Sequence, residues 1–397
     1  MTAKELQKYG IGTRLIHAAA HYDHGKVRSH IPPIFQTVNF DYESVDEGMS
    51  IFLGEKEGYF YTRNGNPSSD MFAHLIAMIE EADAGLSAAS GMAAISSAIL
   101  ALVHPGDEIV SSKNIYGGTR NWLVNQLAPF GVSVRFVDIS DLGALNEAMS
   151  EKTKILYTEV LGSPDLVVAD IESLSTIVKD NDALLMVDST FTPPPVIMPL
   201  TMGADIVVHS TTKYINGHGD AIGGAVVGDK EIIEKINNVL KLYGGVISPF
   251  NAWLGIRGMK TLSLRIEKHC ANALAIAEFL NGHDKIKTVY YPGLSGHAQH
   301  VLAKTQLYGF GGMLAFKVKG GLESGKKLMD SVKLCSFTTS LGEIDTLIIH
   351  PASTSHVSLS RGEREALGIT DDLVRLSVGI EDVDDLRHDL EQALEKI

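Results

Sequence analysis

From about residue 68 to residue 210 the chain alternates without a break between helix-like stretches and short apolar runs. The helix-like stretches are 69–84 (SDMFAHLIAMIEEADA), 91–103 (GMAAISSAILALV) and 119–131 (TRNWLVNQLAPFG). The strand-like runs are 86–90 (LSAAS), 108–112 (EIVSS), 133–139 (SVRFVDI), 154–160 (KILYTEV), 184–189 (LLMVDS) and 206–210 (IVVHS). Apolar strands separated by helices need cover on both faces, which is the condition of a parallel, doubly covered sheet. The expected fold class is therefore α/β with a mostly parallel sheet. A long helix is expected over 260–282, closed by Gly282 as C-cap. After it come strand candidates at 312–318, 347–352 and 373–378 and a terminal helix over 383–397, which read as a smaller α+β domain. Residues 1–60 read as an irregular arm, extended over 31–40. The expected boundaries are 1–60, 61–259 and 260–397.

A chain of 397 residues with 45% hydrophobic side chains can bury a sizeable core. Its net charge of −14 argues against nucleic acid or an anionic membrane as the main partner. Cys270 and Cys335 have neither zinc nor redox spacing. The N-terminal stretch lacks a signal-peptide core, and no apolar run is long enough to span a bilayer. A soluble cytoplasmic protein is the expectation.

Sites in open α/β sheets lie at the carboxyl ends of the strands. Asp188 ends one predicted strand, and Ser210, Thr212 and Lys213 follow the next. Glu159 and Ser163 follow another, and Tyr116 another. Ser90 and Gly91 stand where a strand hands over to a helix, an anion site made of free backbone N–H groups. A lone lysine after a strand is ordinarily solvated. Here it lies among small residues (209–220, HSTTKYINGHGD), with an aspartate one strand away and a glycine-opened helix. That set fits a phosphate-bearing aldehyde held as a Schiff base, namely pyridoxal 5′-phosphate (PLP). Burial lowers a lysine toward the neutral amine that attacks. An aspartate facing the pyridine nitrogen keeps the ring able to accept electrons.

The chain resembles the Cys/Met-metabolism group of fold-type I PLP enzymes, which includes methionine γ-lyase, cystathionine γ-synthase, the cystathionine lyases and O-acetylhomoserine sulfhydrylase. The resemblance rests on 61–68 (YTRNGNPS), 90–95 (SGMAAI), 116–119 (YGGT), 187–191 (VDSTF), 209–220, 256–265 (IRGMKTLSLR), 340–353 (SLGEIDTLIIHPAS) and 374–382 (VRLSVGIED). It implies an aminotransferase-like fold, with a seven-stranded sheet in the PLP-binding domain. It implies that Lys213 carries the cofactor, Asp188 pairs with the ring nitrogen and Tyr116 stacks on the ring and acts as general acid. Gly91 and Met92 N–H groups, Ser210 and Thr212 would hold the phosphate. Ser163 stands where relatives place an asparagine facing the ring hydroxyl. Tyr61 and Arg63 would reach the phosphate of a neighbouring subunit, to which the arm also contributes, in a homotetramer built from dimers. Arg375, assisted by Ser340, would grip the substrate carboxylate through a bidentate fork. No metal is implied.

The implied reaction is γ-elimination from a γ-substituted L-amino acid, giving 2-oxobutyrate, ammonia and the leaving group. The alternatives are γ-replacement, of the O-acetylhomoserine sulfhydrylase or cystathionine γ-synthase type, and γ-elimination from an unusual substrate such as canavanine. Phe60 and Thr339 stand where cystathionine-handling relatives tend to carry acidic residues, which disfavours cystathionine. Gly118 stands where methionine γ-lyases commonly carry cysteine, and Ser189 replaces a more usual asparagine. His297 and His300 read as a solvated surface pair rather than metal ligands. Cys270 reads as a core helix residue, and His350 and His356 as residues that either border the site or pack a loop.

Overall fold

In a computed structural model, residues 3–18 and 29–397 are described. Among the described residues fourteen strands follow in chain order: β1 Ala84–Ala88, β2 Glu108–Ser112, β3 Ser133–Val137, β4 Thr153–Glu159, β5 Leu161–Gly162, β6 Val167–Val168, β7 Leu184–Asp188, β8 Ile206–His209, β9 Gly224–Gly228, β10 Ile286–Tyr290, β11 Met313–Val318, β12 Ser336–Phe337, β13 Leu347–Ile349 and β14 Leu373–Ser377. Seven of them form the large sheet in the order β1-β9-β8-β7-β4-β2-β3. Strand β9 pairs antiparallel with both β1 and β8, and the other pairings are parallel. The sequence-based expectation of an α/β fold with a mostly parallel seven-stranded sheet holds.

The residues explain why this sheet is covered twice. Along β2, β4, β7 and β8 successive side chains point to opposite faces. Ile109, Ile155, Met186, Ile206 and Val208 enter one core, and Val110, Leu156, Leu185, Val187 and Val207 the other. Each such side chain contributes about 1.5–3 kcal/mol on full burial. Helices Gly91–Leu102 and Lys230–Tyr243 pack on the first face, and helix Pro67–Ile79 serves the second. A smaller sheet, β10-β11-β14-β13-β12, carries a third core with helices Leu262–Asn281 and Val383–Leu394.

Three sequence expectations need correction. Residues 1–60 are not all irregular, since helices span Ala3–Leu6, Ile11–His17 and Val45–Phe52. The helix expected over 69–84 runs Pro67–Ile79, because Glu81 turns the backbone left-handed at φ 57°. The helix expected over 119–131 begins at Gly117, widens to a π-helical turn over Leu123–Leu127 and ends near Pro129. Gly282 is the C-cap of the long helix, as expected.

Candidate active site

Asp188, Glu159, Ser210 and Lys213 lie at the carboxyl edge of the large sheet, where Ser340 and Arg375 approach from the smaller one. Lys213 lies in the turn after β8, half-buried, and its Nζ donates to Ser340 Oγ at 2.7 Å. Burial lowers its amine below the usual lysine range, and the positive charge of Arg375 lowers it further, against the pull of Glu343. Arg375 comes from the small sheet, in the middle of β14, and its Nη2 donates to the Ser340 carbonyl at 3.1 Å. Ser340 thus meets one cation with its side chain and the other with its backbone. Its φ is 90°, a region a serine seldom adopts.

Asp188 and Glu159 end neighbouring strands in register. Asp188 is buried; its Oδ1 accepts from Thr190 N at 2.9 Å and its Oδ2 from Tyr157 Oη at 3.2 Å. Burial raises its carboxyl above the usual range despite these donors. Burial, and then the charge of Asp188, push Glu159 well above the usual range too. Glu159 Oε1 accepts from Tyr116 N at 2.6 Å, so the carboxylate fixes the loop that presents the Tyr116 ring. Tyr116 is 57% exposed, and its ring lies against Gly118, where an added Cβ would stand 2.4 Å from Tyr116 Cε1. The space left by Gly118 is filled by Tyr116 itself. His356 Nε2 is 3.5 Å from where a Cβ on Gly117 would be, which puts this histidine beside the same helix start. His350 instead packs a loop, bonded to Ser353 Oγ and the Asp371 carbonyl.

The helix after β1 is capped by Ser90, whose side chain accepts from Ala93 N at 3.1 Å. The Gly91 and Met92 N–H groups are therefore first-turn donors with no helical carbonyl to meet. Backbones crowd here: a Cβ on Gly91 would lie 2.7 Å from Ser210 Cβ, and one on Gly224 2.1 Å from the Ser90 carbonyl oxygen. Ser210 follows β8 beside Gly91. Thr212 Oγ1 exchanges hydrogen bonds with Gly223, donating to its carbonyl and accepting from its N–H. Ser163 sits half-buried after β5, and its backbone donates to Glu159. Arg63 Nη1 donates to the Lys241 carbonyl at 2.8 Å, and its guanidinium lies 5.8 Å from the centre of the Tyr61 ring. His297 and His300 are half-buried rather than solvated; His300 Nδ1 bonds the Pro292 carbonyl and its ring stacks on Phe310. Cys270 is half-buried in its helix.

The sequence profile described as Cys/Met metabolism PLP-dependent enzyme matches residues 12–395. The chain belongs to this family. It is 47% identical over 397 residues to the L-methionine gamma-lyase of Fusobacterium nucleatum subsp. polymorphum, covering 99% of this chain and 100% of that one. It is 41% identical to the cystathionine beta-lyase of Coxiella burnetii, covering 99% and 100%. The structure of metY from Campylobacter jejuni subsp. jejuni, which carries N′-pyridoxyl-lysine-5′-monophosphate, superposes with a TM-score of 0.91 at 34% identity, over 98% of this chain and 100% of that one. As a Cys/Met-metabolism enzyme the chain depends on PLP, and the site has the shape and donors for it. The first-turn N–H groups of Gly91 and Met92, with Ser210 beside them, are donors of the kind a phosphate needs, and Gly91 and Gly224 let these backbones pack this closely. Among the described residues no lysine or arginine is ion-paired with the buried Asp188.

Tyr157 and Thr190 leave no local signal in the sequence, since their bonds to Asp188 cross a neighbouring strand and a turn. The bond of Ser340 to Lys213 likewise joins residues far apart in the chain. Among the described residues no helix is long and apolar enough to cross a membrane.

Proposed function

We propose that this enzyme catalyses γ-elimination from a γ-substituted L-amino acid of the methionine type, giving 2-oxobutyrate, ammonia and the thiol. The convergence of Lys213 and Arg375 on Ser340 carries this reading, since it sets an amine and a carboxylate fork a few ångströms from one serine. The L-methionine gamma-lyases among the relatives, at 42–47% identity over full length, support elimination over replacement.

PLP, when bound at Lys213, supplies a ring that takes up the electron pair left at the substrate Cα. Arg375 grips the substrate carboxylate. Lys213, whose lowered amine favours the neutral form, takes the Cα proton and then moves a proton off Cβ, which frees the electron pair that expels the γ-substituent. Tyr116 Oη hands a proton to the departing γ-substituent. Asp188 faces the ring nitrogen, and Tyr157 and Thr190 orient its carboxylate. Gly91 and Met92 N–H groups, Ser210 and Thr212 hold the phosphate, and Ser163 lies by the ring hydroxyl. Phe60 and Thr339 give a distal substrate cation no carboxylate, which favours a neutral γ-substituent over cystathionine.

Residues 61–259 are the cofactor-binding unit in this reading, and 260–397 bring the carboxylate fork. Tyr61 and Arg63, with the arm 1–60, serve the site of a second copy in a homotetramer built from dimers. Exposed apolar residues support an assembly: Phe52 is 64% exposed and stacks on Phe60 at 4.4 Å, and Met49, Leu242 and Tyr243 are exposed too. Cys270 and Cys335 are both free thiols, which fits the reducing cytoplasm.

The test is 2-oxobutyrate formation from methionine, O-acetylhomoserine, cystathionine and canavanine, each with and without sulfide. Methionine alone is expected to give it at about 1 per second or faster. Homocysteine from O-acetylhomoserine plus sulfide, with no 2-oxobutyrate from any single substrate, would overturn elimination in favour of replacement.

A further inference from the structure

A second titratable pair lies beneath the strand ends, and none of the chemistry above uses it. Glu80 caps the end of helix Pro67–Ile79, and His209 is the last residue of β8; they are 0% and 1% exposed. His209 Nε2 stands 2.5 Å from Glu80 Oε1. Among the described residues, Glu80 Oε2 and His209 Nδ1 are buried without a hydrogen-bond partner. A buried ionisable pair is a poor way to gain stability, because two apolar side chains would fill the same space at less desolvation cost. Its position suggests another use.

The backbone on either side of His209 is tied to the site. Ser189 N donates to the Val208 carbonyl at 3.0 Å. Ser210 N donates to Thr190 Oγ1 at 2.8 Å, and Thr190 N donates to Asp188 Oδ1 at 2.9 Å. Lys213 N donates to the Ser210 carbonyl at 3.2 Å, closing the turn that presents the lysine. The end of β8 therefore sets both the place of Lys213 and the orientation of Asp188. Titratable groups that act on Asp188 include Tyr157 and Glu159 from β4 and His209 from β8. Of these, His209 alone can bring positive charge.

We infer that Glu80 and His209 are a positioning pair for the cofactor site, anchoring the end of β8 and thereby fixing Lys213 against Asp188 and the charge that Asp188 carries. The inference rests on the reading that Asp188 meets the ring nitrogen.

Glu80→Gln keeps the shape and removes the charge, and His209→Gln removes the imidazole. Two quantities are measured beside wild type and Asp188→Asn: the PLP dissociation constant on reloading cofactor-free protein, and the pH midpoint of the visible absorption band of the loaded enzyme. Losing the charge or the imidazole loosens the anchor at the end of β8, so each variant is expected to weaken PLP about tenfold. The midpoint is expected to move in the direction that Asp188→Asn moves it, by less. Wild-type affinity and midpoint in both variants, with only a lower melting temperature, would overturn the inference while leaving the Asp188 reading intact. An unmoved band in Asp188→Asn would instead remove the reading itself, and the inference with it. Should neither glutamine variant fold, Glu80→Asp retains the carboxylate at a longer reach and is held to the same two measurements. Failure of that variant to fold as well would make the pair a folding element and overturn the positioning role.

Discussion

Ser340 shows how much one residue can settle. A serine in the left-handed region costs on the order of 1–3 kcal/mol, and the surroundings must impose it. Here the conformation turns Oγ toward Lys213 and the carbonyl toward Arg375. Ser340→Ala keeps the carbonyl and loses the hydroxyl, so kcat is expected to fall while KM, which reports the carboxylate grip, changes less; steady-state kinetics check the split. Lys213→Ala is expected to lower turnover by about 10³-fold or more and to abolish the visible cofactor band in folded protein. Asp188 makes a pH prediction for the cofactor-free protein. Its folded carboxyl is raised above the unfolded value of about 3.9, so the folded state holds the proton more tightly. That contribution to stability is full below the unfolded value and is lost as pH rises through the folded one. Asp188→Asn should therefore gain stability relative to wild type as pH goes from 4 to neutrality, read from denaturant midpoints at each pH. Equal pH slopes would contradict the raised carboxyl. Lys213 and Asp188 were legible in the sequence because strand-end polar residues stand out against apolar runs, whereas Arg375, in the middle of β14, was reached only through the family resemblance. Tyr157, Thr190 and the second bond of Ser340 were not, because backbone conformation and cross-strand partners leave no local pattern.

At the scale of elements, the strands were the most legible part. Runs such as 108–112 are apolar and bounded by turn residues, and β2 occupies those positions. The arm helices escaped because they are short, seven residues in Ile11–His17 and eight in Val45–Phe52, and each holds an interior glycine that weakens the signal. The helix opened by Gly117 makes a separable prediction. Alanine favours a helix over glycine by about 1 kcal/mol, yet a Cβ at 118 would collide with the Tyr116 ring at 2.4 Å. Gly118→Ala is expected to hold or raise the melting temperature while lowering kcat, because the exposed ring swings aside. A lowered melting temperature with unchanged kcat would contradict this placement of Tyr116. Gly91→Ala has no such freedom, since its Cβ meets both Ser210 Cβ and, at 3.0 Å, Ser210 Cα. Forcing β8 outward should cost about 1–3 kcal/mol of stability and weaken PLP together, measured by denaturation and cofactor titration.

The whole molecule brings in a neighbour. Arg63 lies on the surface against the Lys241 carbonyl, and Tyr61 is 39% exposed. If these two complete the site of a second copy, mixing Arg63→Ala with Lys213→Ala subunits should restore part of the activity, because some hybrid pairs then hold one intact site. No recovery despite demonstrated subunit exchange would count against a shared site. Such sharing was not legible from composition, since an exposed tyrosine and arginine look like any solvated surface. The meeting of Lys213 with Ser340 and Arg375 has a further consequence for biosynthesis. Lys213, Asp188 and the helix opened by Gly91 all leave the ribosome well before β14 is made. On the proposed reading, a nascent chain owns the amine before it owns the fork at Arg375. Chains that end short of β14 would then carry Lys213 without the guanidinium that meets Ser340 beside it.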